Sequence, residues 1–309
     1  MLTFPIIGII SAIIIGVVVF ISKKKENNNN VVSILPNTSG RPPIKRALLV
    51  GINKYKPELG ADLRGCVNDV ENMQDILVNI FKFDSENIQV LTNERATKQG
   101  ILDGLRWLLN GSKEGDELVF HYSGHGSQIM DKDGDESDDQ LDEILCPHDL
   151  DWNDPLTDDN LAVLFKQLPE GVHLTMLCDS CHSATISREV NISNPHRNYP
   201  KNILPPSDIR SRTYGKILYK NKMGKKNRGV QNHMLMSGCK DDQTSADAYI
   251  DGKYQGAFTW ALSKTIRENP DIEWQQAHVK TVELLNGYSQ SPQLSGSAYT
   301  IFRKVFGGK

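Results

Sequence analysis

Disulfide cysteines, excess charge and sequence repeats are all scarce in this chain, and each absence argues against a class of protein. The 309 residues include only five cysteines, which are odd in number and spread along the chain. This argues against an extracellular disulfide framework and favours a reducing compartment. The formal net charge of -3 gives no general attraction to nucleic acid, so we expect no nucleic-acid partner. The absence of an internal repeat argues against solenoids and propellers.

The N-terminus departs from an otherwise soluble composition. Residues 4–21 are almost entirely apolar, and 18 such residues nearly cross the hydrocarbon core of a bilayer. The basic residues Lys23, Lys24 and Lys25 follow this run, whereas a cleavable signal peptide has its basic residues first. Because flanking lysines stay on the cytoplasmic side, the sequence predicts a single-pass membrane protein with one N-terminal transmembrane helix and a cytoplasmic remainder.

The alternative for this segment is a signal sequence that leads the rest of the chain across the membrane. Three Asn-x-Ser sequons would then be open to glycosylation, at Asn37, Asn110 and Asn191. The next residues are polar and punctuated by proline and glycine, which is typical of a tether. We therefore expect an anchor over residues 1–25, a linker over 26–45 and a folded domain over 46–309.

Predicted strands and helices alternate in this domain. Apolar runs such as RALLV and ELVFHYS predict buried strands, and CVNDVENMQDILVNI carries apolar residues at helical spacing. The segment TDDNLAVLFKQL predicts a helix capped by Thr157. A last short strand is predicted around AYTIF. The alternation predicts an α/β fold, with a mostly parallel central sheet and helices on both of its faces.

Two segments of biased charge interrupt the alternation. Residues 131–159 contain thirteen acidic residues and one lysine. Their DKDGDESDDQLDE has its glycine at the fourth position, whereas an EF-hand loop needs it at the sixth, so a solvated acidic loop or another kind of cation site remains. Residues 188–228 contain eleven Lys and Arg against Glu189 and Asp208. We expect this basic segment to be a long exposed loop.

Two strand ends carry residues suited to nucleophilic catalysis. His125 follows the strand ELVFHYS, and Cys181 follows the strand HLTMLCD within LCDSCHSAT. Since parallel strands end at the same edge of a sheet, the imidazole and the thiol can act as base and nucleophile. Glycines flank His125, and the backbone N–H groups there, that of Gly126 included, can hold an oxyanion. A redox pair, a zinc site and purely structural cysteines remain alternatives for Cys178 and Cys181.

A series of motifs in a fixed order resembles metacaspases, the caspase-related cysteine peptidases. These motifs extend over about residues 46–306 and are LRGCVNDVENM, HYSGHGSQ, DGDESDDQLDEILCPHD, LTDDNL, DSCHSAT, SGCKDDQTSAD and GAFTWAL. The resemblance implies a caspase-like layered fold over 46–309, with a large-subunit-like part (46–185), the basic exposed loop (186–230) and a small-subunit-like part (231–309). It implies a monomeric cysteine endopeptidase acting on polypeptides, with His125 and Cys181 as its dyad and Cys178 as a structural residue.

The resemblance also implies an activating calcium ion bound by Asp142, Asp158 and Asp159. Clustered carboxylates repel one another, and a hard dication with oxygen ligands relieves that repulsion. The family has one further acidic residue a few positions after the catalytic cysteine. In this sequence that position falls near Arg188, with Glu189 beside it, which departs from the family pattern. A smaller departure is HSA where the family has HSG.

The resemblance further implies that Cys66, Asp69, Ser123 and Asp179 line the pocket for the residue before the cleaved bond. Two carboxylates in one pocket repel each other unless a cation enters. We therefore expect cleavage after arginine or lysine, with arginine preferred because its five donors can engage both carboxylates. The alternative is that Asp69 and Asp179 only cap local backbone.

Two other functions and a self-cleavage site follow from the same residues. A caspase-fold scaffold without peptidase activity, and a caspase-type peptidase with other specificity, are the alternatives to the implied enzyme. The basic segment is polar and long, so autoprocessing sites are expected within it, at Lys222, Lys225, Lys226 and Arg228. Its charge would otherwise serve to contact anionic lipid.

Overall fold

The central sheet forms from the apolar runs that the sequence predicts as strands. The computed structural model describes residues 40–130, 141–181, 196–209, 233–240 and 243–308. In these ranges the strands are, in chain order, β1 (Lys45–Gly51), β2 (Ile88–Thr92), β3 (Glu117–Ser123), β4 (Gly126–Met130), β5 (Leu141–Leu145), β6 (Leu156–Thr157), β7 (His173–Asp179), β8 (Tyr199–Pro200), β9 (His233–Ser237), β10 (Ala246–Ile250), β11 (Lys253–Gly256) and β12 (Gln293–Ser295).

The helices mostly coincide with the segments of helical periodicity. They are α1 (Cys66–Asp75), α2 (Lys98–Leu109), α3 (Asp158–Phe165), α4 (Ala257–Glu268), α5 (Trp274–Leu284) and α6 (Ala298–Ile301). A π-helical turn, Ile76–Ile80, continues α1. The hydroxyl of Thr157 accepts from the backbone N–H of Asn160 and caps α3, as predicted.

The main sheet has the strand order β12-β9-β7-β3-β1-β2. The pairs β1/β2, β1/β3, β3/β7 and β7/β9 are parallel, and β12 pairs antiparallel with β9 at one edge. Two three-stranded sheets, β11-β10-β8 and β4-β5-β6, are formed by strands that lie between those of the main sheet in the chain order. The prediction of an α/β fold with a mostly parallel central sheet is confirmed.

Strand β1 illustrates why this sheet is apolar on both faces. Its alternate residues Leu48 and Val50 belong to the cluster that includes Leu105 of α2, while Ala47 and Leu49 belong to the cluster on the opposite face. The second cluster includes side chains from α1 and α4, namely Val70, Met73, Phe258 and Leu262. Each such fully buried side chain stabilises the fold by about 1.5–3 kcal/mol relative to exposure. Because both faces of the sheet are covered, the sequence of β1 is a continuous apolar run and not an alternation of apolar and polar residues.

Two predictions from the sequence are wrong in the described residues. AYTIF forms the short helix α6 because Ser297 caps it, accepting from the backbone N–H of Thr300, and the last strand is β12. The basic segment is not simply an exposed loop, since its residues 196–209 include β8 and the fully buried Lys201. A buried cation requires ionic partners.

Several predicted features fall on residues that the structure does not describe. The described residues include no helix that is both long and apolar enough to cross a membrane, and the predicted span over residues 4–21 lies outside them. The same holds for the named residues Arg188, Glu189, Lys222, Lys225, Lys226 and Arg228.

Candidate active site

The ends of β3 and β7 bring the predicted site residues together. The parallel register aligns Tyr122 with Cys178 and Ser123 with Asp179, so the chain leaves both strands at the same level. Cys178 stays within the ladder and is only 3% exposed, as a structural strand residue would be. Cys181 lies beyond the strand end and is buried as well.

The ring of His125 is held in one tautomer. Its Nε2 lies 2.6 Å from the carbonyl oxygen of Ala61, and since a carbonyl can only accept, Nε2 carries the proton. Its Nδ1 forms no well-aligned hydrogen bond within the described part of the chain, although the carbonyl of Lys201 lies close to the ring, and it is therefore available as a base. Burial lowers the pKa of His125 to about 4, so the imidazole is neutral at pH 7. Tyr55 supports it through a 2.8 Å bond from the backbone N–H of His125.

Two backbone N–H groups converge on one carbonyl oxygen beside Cys181. The N–H of Gly126 lies 3.0 Å from the oxygen of Lys201, and the N–H of Cys181 lies 3.1 Å from the same oxygen. Paired N–H donors next to a thiol are the arrangement that stabilises the oxyanion of acyl transfer. The Lys201 carbonyl therefore occupies the place suited to the carbonyl of a bond under attack.

The side chain of Lys201 fills the pocket predicted from the sequence. Its ammonium lies 3.1 Å from Asp69 Oδ2, 3.2 Å from Asp179 Oδ1 and 2.9 Å from the hydroxyl of Ser123. All three side chains that receive it are fully buried, and so is Lys201. An ammonium has three donors, and each has an acceptor here.

The pocket keeps its charges ionised. Burial raises the pKa of Asp69 to about 6, although Lys201 opposes this shift. For Asp179 burial acts in the same direction, but Lys201 and the hydrogen bonds from Ser245 and Thr259 outweigh it, and the pKa is lowered. Burial would lower the pKa of Lys201, but the attraction of the carboxylates, of Asp179 above all, raises it well above its usual value. At pH 7 one cation thus faces two carboxylates.

Both carboxylates also hold local backbone, as the alternative interpretation expected. Asp69 accepts from the N–H of Gly256 at 2.8 Å. Asp179 accepts from the N–H of Thr259 at 3.0 Å, in the first turn of α4, where a helix favours negative charge. A Cβ at Gly256 would collide with both carboxylates and with the ammonium of Lys201, so a glycine there leaves the pocket open. The two aspartates therefore position α4 and line the pocket.

The chain on either side of Lys201 makes backbone hydrogen bonds across the site, with a bend at Lys201 itself. Pro200 pairs with Ala246, and Tyr199 pairs with Asp247, in the antiparallel contact of β8 with β10. The N–H of Lys201 donates to the carbonyl of Ser245 at 2.9 Å. On the other side, Ile203 donates to the carbonyl of Gly126 at 3.1 Å. Residues 199–203, called the seated segment below, are thus bound as a peptide is bound by strand addition.

Cys66 lies at the start of α1, beside this pocket. Its backbone N–H donates to Asn53 Oδ1 at 2.8 Å, and its side chain is fully buried. Burial raises the pKa of its thiol, although Lys201 opposes the shift, so Cys66 lines the pocket as a neutral group. The four residues expected to line the pocket are therefore neighbours in space.

The three carboxylates expected to bind calcium lie on adjoining segments. Asp142 is buried on β5, and Asp158 and Asp159 begin α3. The pairing of Ile144 with Thr157 brings the two stretches side by side. In the described ranges, however, no group of three or more His, Cys, Asp or Glu side chains is arranged to hold a metal ion. A calcium ion takes six to eight oxygen ligands, so calcium binding by these three residues stays a prediction from the resemblance.

Several residues of the site carry no recognisable signal in the sequence. The carbonyl of Ala61 and the hydroxyl of Tyr55, which hold His125, come from a turn that no motif marks. Lys201 is one of eleven basic residues in its segment, so nothing singled it out. Gly256 could have been found, because it opens the motif GAFTWAL.

Fold and site together define a cysteine-type peptidase of the α/β class. The family model described as "Metacaspase, peptidase C14 domain" matches residues 45–188 of this chain. Metacaspase-1 of Meyerozyma guilliermondii is 35% identical over 85% of this chain and 71% of its own length, and Metacaspase-1B of Neurospora crassa is 36% identical over 82% and 66%. A solved protein of Geobacter sulfurreducens superposes with a TM-score of 0.62 at 26% identity, covering 86% of this chain and 99% of that one. The chain belongs to the metacaspase family.

Proposed function

We propose that this protein is a calcium-stimulated endopeptidase that cleaves polypeptides after lysine or arginine, using His125 and Cys181. The observation that supports it most directly is the seating of Lys201. Its ammonium contacts Asp69 and Asp179, and its carbonyl oxygen contacts the two N–H donors beside the thiol. One residue therefore satisfies the specificity pocket and the oxyanion site at once.

The chemistry follows from these positions. The thiol of Cys181, which donates to the carbonyl of Gln243 at rest, leaves that bond and gives its proton to Nδ1 of His125. The sulfur attacks the substrate carbonyl carbon, and the N–H groups of Gly126 and Cys181 hold the oxyanion. When the C–N bond breaks, the imidazolium returns the proton to the leaving amine, and a thioester remains. Water, deprotonated by the same imidazole, then hydrolyses the thioester and regenerates the thiol.

A panel of fluorogenic peptides ending in Arg, Lys, Asp or Ala, assayed with calcium and with EDTA, tests the proposal. Turnover is expected for Arg and Lys peptides alone. Arginine is expected to be preferred, and the fit of Lys201 requires that lysine peptides also be cleaved. Turnover of the Asp peptide, or of none, would contradict the proposed specificity.

Calcium stimulation rests on the adjoining carboxylates Asp142, Asp158 and Asp159. A dication relieves the repulsion of such carboxylates, and its binding can shift the population of conformations near the site. We expect calcium to raise the activity and the triple Asn variant to lose that response while its EDTA rate is unchanged. Calorimetry measures the binding itself. Equal turnover in calcium and EDTA, with no heat of binding, would remove calcium from the proposal.

Self-cleavage is expected first at the Lys201–Asn202 bond. The seated segment holds this bond in the register of a substrate, whereas Lys222, Lys225, Lys226 and Arg228 are supported by sequence alone. N-terminal sequencing of the incubated protein should find a new end at Asn202, absent from the Cys181→Ala variant and from Lys201→Ala. New ends only after the four other residues would show that the seated segment is not a substrate.

We also propose that residues 1–25 anchor the enzyme in a membrane with the peptidase domain in the cytoplasm. The apolar run and the lysines after it support this orientation. The full-length protein should sediment with membranes and resist alkaline carbonate, and a chain that starts at Arg46 should remain in the supernatant. Glycosylation found at Asn191 would reverse the orientation.

A further inference from the structure

A second side chain of the seated segment enters a formed binding surface. Side chains alternate along an extended strand, so Tyr199 lies on the same side as Lys201. The guanidinium of Arg64 lies 5.0 Å from the ring centre of Tyr199 and 5.1 Å from the ring centre of Tyr254. The two tyrosine rings are 5.9 Å apart at an angle of 60°. Tyr199 therefore completes a stack that Arg64 and Tyr254 begin.

Arg64 is held in place by the fold and not by the seated segment. Its backbone N–H donates to Asp247 Oδ2 at 2.7 Å. The next residue, Gly65, lies so close to the backbone of Gln255 that any Cβ would collide with it. Because the chain can approach β11 this closely, the guanidinium reaches the ring of Tyr254. The contact between Arg64 and Tyr254 involves no atom of residues 199–203, so it remains when another peptide takes their place.

Tyr254 is anchored in the same way. Its carbonyl accepts from the side chain of Asn68 at 2.7 Å, and its ring packs on Tyr249 of β10 with centres 5.3 Å apart. A ring whose backbone is held and which already packs on a neighbouring ring is restrained before a ligand arrives, so less entropy is lost when the ligand binds.

We propose that Arg64 and Tyr254 form a subsite that selects an aromatic residue two positions before the cleaved lysine or arginine. This inference rests on the proposed function, since it adds a second determinant to the same substrate. The chemistry is a cation over a ring face together with a tilted ring pair.

An acidic substrate residue at this position is the obvious alternative to an aromatic one, because it could form an ion pair with Arg64. The register opposes it, because the residue there lies directly opposite Asp247. Like charges directly opposite each other on paired strands are destabilising. An aromatic ring meets Arg64 without placing a second negative charge beside Asp247.

Three peptides and three variants of the full chain test the subsite. The peptides are acetyl-Tyr-Pro-Lys, acetyl-Ala-Pro-Lys and acetyl-Glu-Pro-Lys, each with a fluorogenic amide, and kcat/KM is measured for each. The variants are Arg64→Ala, Tyr254→Leu and, as a matched control, Arg106→Ala, which removes an exposed arginine paired with Asp103 on α2. The seated segment competes equally with every peptide, so it cancels from the ratio of two kcat/KM values.

The unchanged protein should prefer the Tyr peptide over the Ala peptide by about fivefold, the effect of one cation–π contact. Arg64→Ala should remove most of that ratio, Tyr254→Leu should lower it, and Arg106→Ala should leave it unchanged. A ratio near one in the unchanged protein, a ratio that Arg64→Ala does not alter, or a preference for Glu over Tyr would overturn the subsite while leaving the proposed function standing. If none of the three lysine peptides were cleaved, the proposed function itself would fail.

Discussion

Replacing Cys181 with alanine is expected to lower kcat/KM on lysine and arginine peptides by about 10⁴-fold or more, as loss of a covalent nucleophile does in other peptidases. The variant keeps the pocket and the N–H of residue 181, so peptide binding should persist while turnover stops. His125→Ala should come close to the same loss, because without Nδ1 no described group of the site is available to take the thiol proton.

Cys178→Ala is the matched control for this experiment. Cys178 lies three residues earlier, within β7, and packs in the core. Its replacement by alanine should therefore leave a small cavity without removing a catalytic group. Its melting temperature should fall slightly while kcat/KM stays within a few-fold of the unchanged protein. If Cys178→Ala were inactive and Cys181→Ala active, the other cysteine of the pair would be the nucleophile. If all three variants kept their activity, another site would carry it.

Asp179→Asn is expected to lower kcat/KM on lysine and arginine peptides by about 10²- to 10³-fold, the effect of removing one partner of a buried charge pair. The amide matches the carboxylate in shape. Its oxygen must still accept from Thr259, because the two Thr259 donors lie 3.0 and 2.7 Å away. The amide N–H₂ group is then left to face the substrate cation, which it cannot neutralise. Asp69→Asn should lose activity for the same reason.

The control for the charge is an aspartate outside the pocket. Asp103→Asn breaks an exposed ion pair with Arg106, which contributes little, and should leave activity and melting temperature nearly unchanged. Circular dichroism should show an intact fold in the pocket variants. Pocket variants as active as Asp103→Asn would mean that Asp69 and Asp179 serve the fold alone.

The pH profile gives the same test a second measurement. Because the pKa of Asp69 is about 6 beside Lys201, its carboxylate takes up a proton as the pH falls through that value. Because a bound cation opposes the rise that burial imposes on this pKa, the carboxylate takes up its proton more readily when the pocket holds no cation, and binding of a cationic side chain should weaken as the pH falls toward about 6. Asp69→Asn has no such group and should lose that part of the pH dependence, whereas Asp103→Asn should keep it.

The sheet, and the position of His125 and Cys181 just beyond the ends of two neighbouring strands, were predictable because they follow from local patterns. Apolar runs long enough for one strand, separated by helical periodicity, define parallel βαβ units. Once β3 and β7 are neighbours, the residues just after them must lie at one edge of the sheet. The β-branched and aromatic residues of AYTIF favour a strand, but the cap at Ser297 starts a short helix there.

The seated segment was not predictable, and the reason is physical. A lysine in a run of basic, proline-containing residues has the composition of a solvated loop. Its burial is decided by Asp69 and Asp179, which are 132 and 22 positions away in the sequence, and by a strand edge on β10. Charge bias describes a whole segment, whereas this contact selects one cation of eleven.

Lys201 belongs to the same chain as the site that it occupies. Its binding to that site is therefore intramolecular, which determines the kinetic order expected for cleavage after Lys201. A tethered group reaches its own site at an effective concentration in the millimolar range for a short flexible connection. A peptide of equal affinity supplied from outside has to exceed that value before it displaces the tethered segment. The proposed cleavage after Lys201 should therefore be first order in protein, so that diluting the enzyme slows the attack on every substrate except its own chain.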